Sequence, residues 1–214
     1  MFVITADQIG SRRSADLVPE ALAVVVPLCD NNDRAFERTA GDEIQGVFAE
    51  PSAVLTVIVA LLRHGHWRVG IGIGPVQKPL PVSARAGRGP AFIGARHAVE
   101  AATTSTPLAV RPGPGPEHPE PPEPIQRSER RTHAVLAEHA LVLLARIIER
   151  RSPEGWEVCD LLDQGHSQRE IADLLQVTPS AISQRVRRAD WADQGRAREL
   201  AEHHLSVADG RPLQ

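Results

Sequence analysis

The chain has 214 residues, of which 42% are hydrophobic and 24% are charged, as in an ordinary globular protein. Its net charge of -3 excludes a uniformly basic coat for nucleic acid, so any DNA contact must come from a local patch. No apolar run approaches the roughly 20 residues of a membrane span, and the N-terminus lacks the features of a signal peptide. We therefore expect a cytoplasmic protein without a membrane segment, in which Cys29 and Cys159 are reduced.

The first hundred residues alternate strand and helix signals. The apolar strand FVIT ends at Asp7, and Gly41-Asp42-Glu43 is a turn signal between two strands, which is typical of a hairpin. The predicted elements in chain order are strand 2–5, helix 17–28, strand 35–40, strand 44–48, helix 52–64, strand 67–74 and helix 92–102. This β-α-β-β-α-β order, followed by a further helix, predicts an α+β fold. Its type is a ferredoxin-like sandwich, with an antiparallel sheet covered by helices on one face.

The strand WRVGIGIG carries glycine at every second position. Gly70, Gly72 and Gly74 therefore leave one sheet face without side chains, which suits the close approach of a helix or of a partner strand. The segment lacks the lysine of a phosphate-binding P-loop and the glycine spacing of a dinucleotide-binding fold.

Residues 107–124 (PLAVRPGPGPEHPEPPEP) mark the clearest boundary. So much proline and glycine argues against a helix or a central strand and predicts an extended, semi-rigid linker. A proline-rich ligand for another protein is the alternative. The predicted organisation is an N-terminal domain at 1–106, a linker at 107–124 and a helical C-terminal domain at 125–214.

The C-terminal domain opens with a long amphipathic helix over residues 130–150. Its apolar stripe either closes a dimer or packs on the following helices, and it comprises Leu136, Ala140, Leu143, Leu144, Ile147 and Ile148. A second helix runs from Pro153 to Leu162 and ends before Gly165.

Two short capped helices follow. Ser167 and Glu170 fit a capping box, Thr178 caps the next helix and Pro179 occupies its first turn. The inward face is predicted to comprise Ile171, Leu174, Leu175, Ile182 and Val186. The helix pair therefore has the pattern of a helix-turn-helix. A helical hairpin used only for packing or protein contact is the alternative.

The second helix of this pair carries hydroxyl, amide and guanidinium groups, the types that contact base edges and phosphates in the major groove. The predicted DNA-binding residues are Thr178, Ser180, Ser183, Gln184, Arg187 and Arg188. The segment REIADLLQVTPSAISQRVRRA resembles the helix-turn-helix of sigma-factor region 4 and of LuxR-like regulators. It departs from the common pattern at Gln176, where many such turns have glycine.

Two carboxylates of the N-terminal domain, Asp7 and Asp42, lie at strand ends that a ferredoxin-like sheet brings together. Two carboxylates holding Mg²⁺ over a triphosphate are a familiar arrangement. Gly10 and Ser11 would offer backbone amides to the phosphates. Taken separately, Asp7 is also explained as a helix cap and Asp42 as a turn residue.

The motifs ITADQIGSR, AGDEIQGVF, RVGIGIG and GRGPAFIGARHAVEAA, between Phe2 and Ala102, resemble the SatD family of bacterial proteins. They are also similar to a shortened class III nucleotidyl cyclase domain. The cyclase resemblance implies that Asp7 and Asp42 bind Mg²⁺ or Mn²⁺ and that Arg96 contacts the transition state. The adjoining phosphate-binding group would be Gly10, Ser11 and Arg12. The cyclase asparagine position falls on Phe92, which cannot donate a hydrogen bond.

These observations favour a DNA-binding transcriptional regulator that forms a homodimer. Its cyclase-like domain is expected to bind a partner or a nucleotide with a divalent metal. The alternative from another class is an enzyme, namely a nucleotidyl cyclase or another nucleoside-triphosphate-processing enzyme with an appended helix-turn-helix. A third interpretation is a pure interaction module, in which both domains contact other proteins.

Overall fold

The computed structural model describes residues 1–29, 34–115 and 124–211, and the predicted α+β architecture is confirmed. In chain order the elements are β1 (Phe2–Gln8), α1 (Val18–Val25), β2 (Arg34–Ala40), β3 (Glu43–Phe48), α2 (Pro51–His64), β4 (Trp67–Ile73), α3 (Pro90–Ala101), β5 (Leu108–Pro112), α4 (Pro124–Glu149), α5 (Pro153–Asp163), α6 (Gln168–Leu174), α7 (Pro179–Arg188) and α8 (Trp191–Ala208). Among these, no helix is long and apolar enough to cross a membrane.

The five strands form one mixed sheet in the order β2-β3-β1-β4-β5. The central strand β1 runs antiparallel to both β3 and β4, whereas β5 runs parallel to β4. The predicted β-α-β-β-α-β order is therefore present, and α3 and β5 extend it. This register places Asp7 directly between Glu43 on β3 and Arg68 on β4, so all three side chains project from the same face.

The prediction of an extended linker over residues 107–124 is wrong near its beginning, because residues 108–112 form strand β5. Leu108, Ala109 and Val110 are almost completely buried. Pro112 is tolerated because β5 is an edge strand that pairs with the sheet on one side. On the open side, the Val110 amide donates to the carboxylate of Glu138 on α4 at 2.7 Å. Residues 116–123 lie outside the described part of the chain.

Helices cover both sheet faces, whereas the sequence predicted one covered face. Phe2 and Ile4 project into a core shared with α1, α2, α4 and α8, and α3 packs on the opposite face with Val3 and Val47. Leu141 of α4 belongs to the same core as the sheet. The predicted boundary near residue 125 therefore does not separate two hydrophobic cores.

The alternating glycines of β4 lie under α3, as their spacing predicts. A Cβ atom at Gly72 would overlap the backbone oxygen of Ala91, and one at Gly70 would overlap the backbone of Ala95 and Val99. Glycine at these positions therefore lets the helix backbone rest directly on the strand.

The apolar stripe of α4 divides between two environments. Ala140, Leu144 and Ile148 are buried in the shared core. Leu143 is 62% exposed and Leu136 is 38% exposed, so they lie on the outer side of the helix. Core packing and an outward apolar surface therefore both occur on this one helix.

Candidate functional site

Helices α5, α6 and α7 pack around a small core of their own. Its buried members are Val158, Ile171, Ala172 and Ile182. Leu175 and Val186 pack against this core as predicted, whereas Leu174, predicted to be buried, is 58% exposed. Leu174 is the last residue of α6.

Both predicted caps are present. The Glu170 amide donates to Ser167 Oγ at 3.3 Å, while the Ser167 amide donates back to the Glu170 carboxylate at 2.7 Å. These bonds to Ser167, first from its amide and then from its hydroxyl, lower the pKa of Glu170. The Ala181 amide donates to Thr178 Oγ1 at 3.2 Å, so α7 begins where the sequence places it.

The turn between α6 and α7 depends on Gln176. This residue has a φ of 53°, which lies in the left-handed region that glycine adopts most easily. The neighbouring Val177 amide donates to the Ala172 oxygen at 3.0 Å and closes the turn. Gln176 therefore adopts a conformation that favours glycine, at a cost of roughly 1 kcal/mol for glutamine.

The outer surface of α7 carries most of the predicted DNA-binding residues. Thr178, Ser180, Gln184, Arg187 and Arg188 are exposed, and Ser183 is half-buried. Arg185 instead turns back to pair with Glu157 of α5 at 3.1 Å. Within residues 1–29, 34–115 and 124–211, neither Arg187 nor Arg188 forms an ion pair, so both guanidinium groups are free to bind an external anion.

A cluster that sequence reasoning missed connects this helix group to the sheet layer. Arg151 donates to the Ala189 oxygen at the end of α7 from Nε at 3.1 Å and from Nη2 at 2.7 Å. The guanidinium carbons of Arg63 and Arg151 lie 4.3 and 4.4 Å from the ring centroid of Trp156. Arg63, on α2, also forms a bidentate pair with Asp160 of α5 at 2.6 and 2.8 Å. The one sequence signal was Trp156, an aromatic residue in an aromatic-poor chain.

The second candidate site is a cleft of about 660 Å³ at the end of β1. Its lining residues are Asp7, Gln8, Gly10, Ser11, Arg12, Arg13, Asp42 and Arg68. The backbone amide of Gln8 donates to the backbone carbonyl oxygen of Asp42 at 3.2 Å, which joins the strand end to the hairpin turn. The structure therefore places both predicted aspartates and the predicted phosphate-binding segment on one cleft.

The chemistry of this cleft fits a hard divalent cation only in part. Two carboxylates suit Mg²⁺ or Mn²⁺, because such ions bind few protein oxygens and keep several waters or phosphate oxygens. However, the Asp7 carboxylate already forms an ion pair with Arg68 of the neighbouring strand. A cation at Asp7 would have to compete with this guanidinium for the carboxylate.

Arg96 is not brought into the cleft. It lies on α3 and pairs with Glu43 at 3.1 Å, and Glu43 also accepts a hydrogen bond from Thr39. Phe92, which occupies the cyclase asparagine position, packs so tightly against Gly87 that a Cβ atom there would overlap its ring. Phe92 and Arg96, which occupy the positions of the cyclase asparagine and arginine in the resemblance, therefore make structural contacts here.

Comparison with protein-family models, with curated proteins and with solved structures gives no match to this chain.

Proposed function

We propose that this protein is a DNA-binding transcriptional regulator that reads DNA through a helix-turn-helix formed by α6 and α7. The observation that carries the proposal is the outer surface of α7. There Gln184, Arg187 and Arg188 lie together, exposed and without an acidic partner among the described residues. Amide and guanidinium groups on such a helix match base edges and phosphates of the major groove.

The charge distribution supports a specific and salt-sensitive complex. The chain as a whole is slightly acidic, so binding depends on the few basic groups around α7. Arg185 and Arg151 are committed to contacts within the protein, which hold α7 in position. Arg187 and Arg188 are left for the nucleic acid.

The proposal includes a homodimer, because regulators of this type commonly bind two half-sites. The outward apolar residues of α4, Leu136 and Leu143, together with neighbouring Val135, offer the surface that two copies would share. The spacing of the two α7 helices would then follow from the packing of α4.

For the N-terminal part we propose a ferredoxin-like domain related to SatD and class III cyclase domains, which binds a nucleotide with Mg²⁺ or Mn²⁺. The support is the single cleft lined by Asp7, Asp42, Gly10, Ser11 and Arg12. Two aspartates supply hard oxygen ligands, and the turn after β1 supplies backbone amides and a guanidinium for phosphates.

The alternative, a nucleotidyl cyclase or another nucleoside-triphosphate-processing enzyme, has less support. The Phe92 side chain has no hydrogen-bond donor, and Arg96 is paired with Glu43 and does not line the cleft, so neither takes the role that a cyclase gives to its asparagine and arginine. We therefore propose that the cleft senses a nucleotide and does not turn it over. The ligand would bias the geometry of the DNA-binding helices through the contacts that join them to the rest of the chain, namely Arg63 with Asp160 and Arg151 with Ala189.

The test is a selection of bound sequences from random duplex DNA with the full-length chain, followed by binding measurements at several salt concentrations. Thermal shift with ATP, GTP and cyclic nucleotides, each with and without Mg²⁺ or Mn²⁺, tests the cleft separately. If the chain selects a DNA sequence but no nucleotide shifts its melting temperature, the proposal of DNA binding stands and the proposal of a nucleotide site is contradicted. No enrichment of any sequence would contradict the first.

A further inference from the structure

Three histidines converge between the two long C-terminal helices. His133 lies on α4, and His203 and His204 lie on α8. One ring nitrogen from each lies within 4.8 Å of those of the other two. The closest pair, Nδ1 of His133 and Nδ1 of His204, is 3.0 Å apart. From sequence, His203 and His204 are surface residues of a solvated helix, and their distance along the chain from His133 hides the cluster.

The spacing matches the geometry of a metal site. Zinc binds imidazole nitrogen at about 2.0–2.1 Å, so two nitrogens of one tetrahedral site lie roughly 3.3 Å apart. The ring centroids of His133 and His204 are 4.9 Å apart and those of His203 and His204 are 5.0 Å apart. Small side-chain rotations would therefore bring three nitrogens onto one ion.

The packing of the two helices holds these histidines in place. Ala134 and Ala137 of α4 and Ala201 of α8 are buried in the shared core, and such small side chains allow helices to approach closely. Burial of its ring, and then the proximity of His133 and His203, lowers the pKa of His204, which favours the neutral form that a metal requires.

We propose that His133, His203 and His204 bind a divalent late first-row transition ion such as Zn²⁺. Imidazole is a borderline ligand, which selects this class of ion over Mg²⁺. Three protein ligands leave a fourth position open for water or an external ligand. The site joins α4 to α8, the helix that directly follows α7. It is independent of the carboxylate cleft.

The test uses the full-length chain freed of metal with a chelator and titrated with Co²⁺. The expected result is visible d–d absorption that saturates at one equivalent and that Zn²⁺ abolishes by competition; Co²⁺ bound to the oxygen ligands of the carboxylate cleft would absorb far more weakly. His133→Asn and His204→Asn should each weaken binding roughly 100-fold or more, since loss of an outer-sphere partner alone costs about 10- to 100-fold. His139→Asn, an exposed histidine on the same helix α4, should bind as wild type does.

A second measurement keeps the proposal testable if a variant does not fold. Wild-type chain is treated with diethylpyrocarbonate with and without Zn²⁺, and modified histidines are located by mass spectrometry. The proposal predicts protection of His133, His203 and His204 but not of His139. Protection elsewhere, no Co²⁺ binding by the wild type, or equal loss of binding in the His139→Asn and His204→Asn variants would overturn it.

Discussion

Arg68 donates to the Asp7 carboxylate from the directly opposing position on the neighbouring strand. Both side chains reach solvent, with exposed fractions of 38% and 23%. The pair lies in the cleft where the proposed cation would bind, so the guanidinium and the cation compete for one carboxylate.

This competition predicts that Arg68→Gln tightens Mn²⁺ binding in the absence of nucleotide. An ion pair of such exposure contributes ~0.5–1 kcal/mol, so we expect a roughly twofold to fivefold gain in affinity. Asp7→Asn and Asp42→Asn should abolish binding while the fold remains intact. Isothermal titration with Mn²⁺ measures all three variants, and Arg38→Gln, whose partner is Asp16, serves as the control. Unchanged affinity in the Asp7→Asn variant would place the ion elsewhere.

The outer surface of α7 gives a second prediction. Arg187→Ala and Gln184→Ala should each weaken specific DNA binding by ~1–3 kcal/mol if they contact bases. Loss of an arginine that contacts only phosphate would instead weaken binding to all sequences alike. It would also lower the slope of log affinity against log salt concentration by about one. Fluorescence anisotropy at several salt concentrations separates the two roles. Arg38→Ala removes the same charge from the edge strand β2 and should change neither quantity.

The contact between β4 and α3 gives a third prediction. Gly72→Ala should destabilise the chain by ~1–3 kcal/mol or more, because the added methyl overlaps the Ala91 backbone and neither element can move freely. Gly195→Ala is the matched control. It lies on the exposed side of α8 with no atom within 4 Å of its would-be Cβ, so alanine should stabilise the helix by ~0.5–1 kcal/mol. Urea unfolding measures both, and equal effects would contradict the close packing.

The histidine cluster predicts how stability depends on pH in metal-free protein. The pKa of His204 is lowered in the folded state from an ordinary value of 6.5, so the unfolded chain binds the proton more tightly. The contribution of His204 to the free energy of unfolding is complete above pH 6.5, and it is lost as the pH falls through the lowered pKa of the folded state. Unfolding midpoints should therefore drop as the pH falls below 6.5. In the His204→Asn variant the drop in unfolding midpoint with falling pH should be smaller. If this variant has the same pH profile as the wild type, His204 is not the cause of the drop.

The helix pair could be predicted from sequence because its signals are local. Ser167, Glu170 and Thr178 lie within a few residues of the amides they cap, so spacing alone identifies them. The same holds for the glycines of β4, whose alternation predicts a bare sheet face.

Strand β5 and the histidine cluster could not be predicted, because both depend on contacts between distant segments. Proline and glycine after Arg111 suggest a linker, yet the apolar residues before it complete the sheet through β4. Likewise, His133 and His204 are 71 residues apart in sequence, and the packing of α4 on α8 brings them together.

The shared core has a consequence for how this protein could be dissected or re-engineered. A fragment beginning near residue 125 would uncover Leu141 and Leu144 of α4 and Leu205 of α8, all of which are fully buried in the intact chain. Such a fragment would expose these leucines to solvent and would tend to aggregate, and a fusion of it to another domain would contain only part of the shared core. Helices α5 to α7 have a small core of their own, but they lie in sequence between α4 and α8, which share the core of the sheet, so substitutions in α7 are best tested within the whole chain.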